Sequence, residues 1–209
     1  MAVSVAAHGA HGDHDDAHEE IIYQETRDMR LMGFVLFLVS DVVLFSSYIF
    51  AYIYLRDTVP AWPPSVNGHQ LPRLDTAFAA FNSVVLFGSG VTMHYALESW
   101  KHANRRRFDL FMLLTIVLGL GFLGGQAYEY AHAQIGGWSG NIFGASFFTL
   151  TGMHGGHVFV GVCFLIALWI QSSRGVYTQS KYFGLTAGTL YWHFVDVIWV
   201  VLFFLFYLW

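Results

Sequence analysis

Charge is what this sequence has least of. Asp, Glu, Lys and Arg make up 11% of its 209 residues, against about 25% in soluble domains, and a chain so poor in charge is expected in a membrane. Cysteine is nearly missing too. The single Cys163 excludes an internal disulfide and any all-cysteine metal or iron–sulfur site within the chain, and its place in an apolar run reads as a small buried side chain. No basic stripe is interleaved with aromatics, which excludes nucleic acid as a partner. A basic start followed by an apolar core is also missing, so no secretory signal is expected. The prolines are few and crowded together: Pro60, Pro63, Pro64 and Pro72 leave the rest of the chain free of helix breakers.

What remains is 56% hydrophobic and 18% aromatic. Five apolar segments, near 31–55, 75–97, 108–131, 144–171 and 184–209, each reach the 20 or so residues that cross a hydrocarbon core of about 30 Å. Helices satisfy their own backbone hydrogen bonds there. The expected fold is therefore an all-α membrane protein, with a five-helix transmembrane domain over 31–209 behind a solvated N-terminal tail over 1–30. The tail holds Asp13, Asp15, Asp16, Glu19, Glu20, Glu25 and Asp28, together with His8, His11, His14 and His18. The histidines could capture metal; with nothing to fix their geometry, a plain solvated tail is the reading adopted.

Basic residues orient the helices. Arg27 and Arg30 in the tail, Lys101 and Arg105–Arg107 in the second connection, and Arg174 and Lys181 in the fourth lie on one side. Arg56 and Arg73 lie on the other. Eight against two predicts a cytoplasmic N-terminus and an outside C-terminus. Tryptophans mark the same boundaries, with Trp100 and Trp169 at inner ends and Trp62, Trp138 and Trp209 at outer ones. The pairs Gly121–Gly125, Gly152–Gly156 and Gly184–Gly188 repeat G-x-x-x-G in three consecutive segments, which predicts helices packed closely at those glycines.

The stretch F-F-T-L-T-G-M-H-G-G-H-V-F-V-G (147–161) sets His154 and His157 inside an apolar run. An ionisable side chain at such depth is expensive and calls for protein neighbours. Counting a rise of about 1.5 Å per residue from the segment ends puts Asp41, His154, His193 and Asp196 about 14–18 Å deep, near the midplane. His157 falls a turn closer to the cytoplasm. The five form a candidate intramembrane polar cluster, with Asn82, Gln126 and Glu129 as a second polar set. Three chemistries fit the cluster: ligation of haem or a metal, a carboxylate–histidine proton relay, and mutual hydrogen bonding that pins helices together. The last is the reading carried forward.

Six motifs over the same residues resemble subunit III of the haem-copper terminal oxidases. They are F-L-V-S-D-V-V-L-F (37–45), W-P-P (62–64), F-N-S-V-V-L-F-G-S-G-V (81–91), Q-A-Y-E-Y (126–130), T-G-M-H-G-G-H-V (151–158) and Y-W-H-F-V-D-V-I-W (191–199). The resemblance implies a non-catalytic cytochrome c oxidase subunit III, part of an oxidoreductase in the aerobic respiratory chain and without a catalytic, cofactor-binding or metal-binding residue of its own. Haem and copper would sit in subunits I and II. This chain would pack on subunit I, bind phospholipid, and support proton uptake and sustained turnover in proton translocation. Its setting would be the bacterial inner membrane. The family's intramembrane carboxylate maps onto Asp41, its histidine pair onto His154 and His157, and its last-helix motif onto His193 and Asp196. Two departures stand out: Asp41 replaces the more frequent glutamate, and five segments match the short bacterial form rather than the seven-helix mitochondrial type. With two helices fewer, the lipid cleft would be open or completed by another subunit. Cytochrome c is the expected electron donor and a quinol the alternative. A self-contained ion transporter would show internal repeats and broken helices, and neither is seen. A haem-bearing membrane cytochrome is the remaining alternative.

Overall fold

A computed structural model of the chain describes residues 10–60, 62–64, 74–133, 135, 140–178 and 181–209, with side chains from 26 onward apart from Arg27. His8, Pro72, Arg73, Trp138 and the side chains of His11, His14 and His18 lie outside the described residues. Among those described, the structure is entirely helical: α1 (Ala10–Thr58), α2 (Thr76–Lys101), α3 (Arg105–His132), α4 (Ile142–Ser173) and α5 (Phe183–Phe203), the last running on into a π-helical turn, Phe204–Leu208. All five are long and apolar enough to cross a membrane.

The contacts divide the chain into two units, 1–40 and 41–209. In the first, helix begins at Ala10, some twenty residues ahead of the expected start. Extending a formed helix adds one hydrogen bond per residue without a new nucleus, so a polar stretch can be helical without being apolar. The stretch that qualifies as a span begins at Asp28.

Within 41–209, α2 to α5 close a ring in which α2 packs on α3, α3 on α4, α4 on α5 and α5 back on α2. Short connections make sequential helices antiparallel neighbours, and caps fix where each begins. Asp75 Oδ1 accepts from the Ala77 and Phe78 amides at 3.1 Å, Asn104 Oδ1 from Arg107 N at 3.2 Å, and Asn141 Oδ1 from Gly144 N at 2.7 Å. Residues 102–104 turn from α2 to α3 with Ala103 at φ 56°. The ring centre is filled by buried Leu86, Met112, Phe122, Val158, Trp192 and Trp199.

The ends of the bundle are polar and aromatic. At one, Arg105 donates to Asp109 (3.1 Å) and to the Ser172 carbonyl (2.7 Å), and the Trp169 indole donates to the other oxygen of Asp109 (2.9 Å). At the other, the Tyr52 hydroxyl donates to the Leu205 carbonyl (3.2 Å) and accepts from Trp62 Nε1 (3.3 Å), while Tyr207 donates to Glu129 (2.6 Å). Such belts suit the two interfaces of a bilayer.

One expectation is corrected and another refined. Cys163 is exposed on the bundle surface instead of buried, because its neighbours Val162 and Leu165 take the inward positions on α4. The close approaches, for their part, are shared between expected and unexpected glycines. A Cβ at Gly156 would meet nothing within 4 Å, whereas one at Gly155 would lie 2.7 Å from Gln126 Oε1 and one at Gly119 2.8 Å from Trp192 Cη2. Of the expected G-x-x-x-G positions, Gly125 meets Asn82 Oδ1 at 2.5 Å, Gly188 is pressed against Leu168 of α4, and Gly184 against the Tyr177 hydroxyl.

Candidate functional site

The structure separates the expected cluster into three parts. The first joins α1 to α4. Asp41 and Phe45 are buried one turn apart on α1. His157 Nε2 lies 3.9 Å from Asp41 Oδ2, and the Phe45 ring centroid lies 5.0 Å from that of the imidazole. His157 Nδ1 is 2.8 Å from the Met153 carbonyl. A carbonyl only accepts, so Nδ1 carries the hydrogen and Nε2 is what faces the carboxyl group. The contact is attractive when a proton sits between the two, on either the imidazole or the acid. The Tyr191 hydroxyl donates to the His157 carbonyl at 3.1 Å, which ties α5 to the same place.

The second part is His154 alone. It is 0% exposed, at the centre of the ring of helices. Its imidazole stacks on the Trp199 indole (centroids 5.0 Å apart, planes at 27°) and meets the edge of Phe122 at 5.7 Å. Neither ring nitrogen has a hydrogen-bond partner among the described residues. Proximity of His154 to His157 along α4 therefore does not make a bidentate site: one ring points into the bundle, the other toward α1. A porphyrin beside His154 would have to displace Trp199 or Phe122, so the residues present do not fit haem. Among the described residues, no three His, Cys, Asp or Glu side chains come together as a ligand set.

The third part lies between α5 and α2. His193 Nδ1 is 3.7 Å from Asp196 Oδ2, with the two side chains 43% and 12% exposed. Gly90 of α2 is pressed against them; a Cβ there would collide with the Asp196 carboxylate.

The second polar set serves helix contacts. Asn82 Nδ2 donates across to the Phe122 carbonyl at 3.1 Å. Gln126 Nε2 donates to the Thr151 carbonyl at 2.6 Å, and the Tyr130 hydroxyl lies 2.7 Å from Thr151 Oγ1. Serines do similar work. Trp199 Nε1 donates to Ser83 Oγ (2.8 Å) and Trp192 Nε1 to Ser89 Oγ (3.0 Å), binding α5 to α2. Ser89 and the two indoles escaped the sequence reading because a tryptophan within a span signals an interface before it signals a buried donor. Their signal was present: an indole N–H in a membrane interior needs an acceptor. His94 was missed too; it is exposed on α2 one turn beyond Gly90.

Chemically, the carboxylates and imidazoles among the described residues stand at helix–helix contacts, in three separate places. Comparison with known proteins agrees with the motifs. A family model described as "Cytochrome c oxidase subunit III" matches residues 10–209. "Cytochrome c oxidase subunit 3" of Synechocystis sp. is 36% identical over 203 residues, covering 97% of this chain and 79% of that one. The protein of the same name from Thermostichus vulcanus is 33% identical over 195 residues (93% and 91% covered), and that from Rattus norvegicus 35% over 208 residues (95% and 75%).

Proposed function

The chain belongs to the cytochrome c oxidase subunit III family, and on that footing we propose that it is the non-catalytic subunit III of a proton-pumping oxidase fed by cytochrome c. It is a multi-pass membrane protein, and a subunit III is one member of a complex with other oxidase subunits. In our reading it packs directly on subunit I, alongside subunit II, in a bacterial inner membrane. There it holds phospholipid and sustains proton uptake and the working life of subunit I, with haem and copper carried by the partner subunits. The observation that supports this role is the disposition of the ionisable groups within the apolar helices: Asp41–His157 and His193–Asp196 each stand at a seam between two helices. Extraction in mild detergent is expected to yield this chain with a larger haem protein, and the preparation is expected to consume oxygen faster with reduced cytochrome c than with a quinol. Recovery of the chain only as a monomer or homo-oligomer under several gentle conditions would favour a self-contained transporter.

The orientation we propose places the N-terminus and residues 102–107 in the cytoplasm and the W-P-P connection outside, following the basic residues. In a Cys163→Ala background, a membrane-impermeant thiol reagent applied to intact cells is expected to label Ser65→Cys and spare Asn104→Cys. The opposite pattern would invert the topology.

Asp41 discriminates helix pinning from proton relay. Because His157 Nε2 presents its ring nitrogen to the acid, an asparagine can donate to the same atom. Asp41→Asn is therefore expected to retain the subunit and its turnover. Asp41→Ala leaves the imidazole unsatisfied, at a cost of about 1–3 kcal/mol, and is expected to loosen retention and shorten the enzyme's active life. Equal and severe loss of oxygen uptake in both variants, with subunit content unchanged, would mark Asp41 as a proton carrier.

A further inference from the structure

We propose that the seam between α2 and α5, centred on His193, is the docking face for a transmembrane helix of another oxidase subunit, one that brings a hydrogen-bonding side chain to mid-membrane depth. The proposal rests on the reading of the chain as one subunit of an oxidase and adds which surface faces the neighbour.

The outward stripe of α5 runs through Leu190, His193, Val197 and Phe204, the spacing of one helix face. All but His193 are apolar. His193 lies ten residues into α5, about 15 Å from its start, and 43% of its side chain is exposed. Its Nδ1 is turned to Asp196, which leaves Nε2 directed away from the acid. Gly90 lets the α2 backbone come up against the pair. One turn on, along the same face of α2, stands exposed His94, seven residues or about 10 Å from that helix's end at Lys101. Phe87 and Val91 flank it. The seam is thus an apolar frame around a polar centre.

Hydrocarbon cannot complete such a surface. A lipid chain offers no hydrogen bond to an imidazole at this depth, and ionisable side chains within spans face protein or water-filled cavities. The outward face of α1 over 43–53 makes the contrast: Val43, Phe50 and Ile53 are exposed there with no histidine or carboxylate beside them, a surface that lipid satisfies. Complementarity therefore asks the partner for a polar group set in an apolar helix. A second copy of this chain would bring an identical His–Asp pair, so a different chain supplies the match better.

The test uses the native oxidase complex with a photoreactive benzoylphenylalanine at Val197 or Val91, and at Val43 as the control. These side chains are exposed, so the substitutions leave the bundle interior alone. Illumination is expected to join Val197→benzoylphenylalanine and Val91→benzoylphenylalanine to another oxidase subunit, identified by mass spectrometry, with no protein adduct from position 43. His193→Leu is expected to weaken retention of the chain in detergent about threefold, the scale of one interhelical hydrogen bond in a membrane, and His193→Gln to restore most of it. Co-purification with the haem protein but adducts only to lipid, or to another copy of this chain, would overturn the docking face and leave the subunit III reading standing. Failure to co-purify at all would overturn both.

Discussion

Gly119→Leu is expected to abolish assembly of the bundle, while Gly124→Leu five residues along the same helix is tolerated. Gly119 of α3 sits opposite α4 and α5 at once. A Cβ alone would lie 2.8 and 2.9 Å from two ring carbons of Trp192 and 3.1 Å from Val162 Cγ2. Trp192 has nowhere to go, being 1% exposed and tied by its indole N–H to Ser89 Oγ at 3.0 Å. Even alanine should cost about 1–3 kcal/mol by overpacking, and leucine needs several more atoms in the same place. Nothing lies within 4 Å of a Cβ at Gly124, which makes it the control for helix propensity and insertion. The readout is the amount of chain recovered with the oxidase and its loss on stepwise heating. Equal recovery of the two leucine variants would show that the helices are not held at the separation described here.

His154→Ala should be the most damaging change among the polar positions, with His154→Phe much milder. Truncating a fully buried ring leaves a cavity, at a cost on the order of 3 kcal/mol in well-packed interiors. In a membrane that packing is what holds helices together. The lost contact with Trp199 and Phe122 adds about 0.5–1.5 kcal/mol. Phenylalanine keeps an aromatic ring of similar shape between the same neighbours. Since neither imidazole nitrogen has a partner among the described residues, it removes polar atoms without orphaning others. Denaturant titration of the chain in mixed micelles would rank the variants. A phenylalanine variant as unstable as the alanine one would mean that the ring nitrogens hold a bond, with a buried water as the first place to look.

Much of the protein is legible in its sequence. Length and apolarity determined five membrane-crossing helices, because an isolated span must satisfy its own backbone and helix is the means available to a single segment. The order and chemistry of the motifs, from S-D-V-V-L-F around Asp41 to H-F-V-D around His193, determined the family.

Direction around each helix was not legible, and that is what the tertiary structure decided. In water, an apolar stripe against a polar one announces the buried face. In a membrane both faces are apolar, so composition no longer separates inside from outside. A step of one residue turns a side chain by about 100°, enough to put Gly155 against Gln126 and Gly156 in open space, or Val162 in the core and Cys163 outside. The same rotation sent His154 to Trp199 and His157 to Asp41, three positions apart on one helix. Polar groups at similar counts from their segment ends looked like one cluster along the chain. Helix packing distributed them among three places, because each group meets the neighbour its own rotation presents.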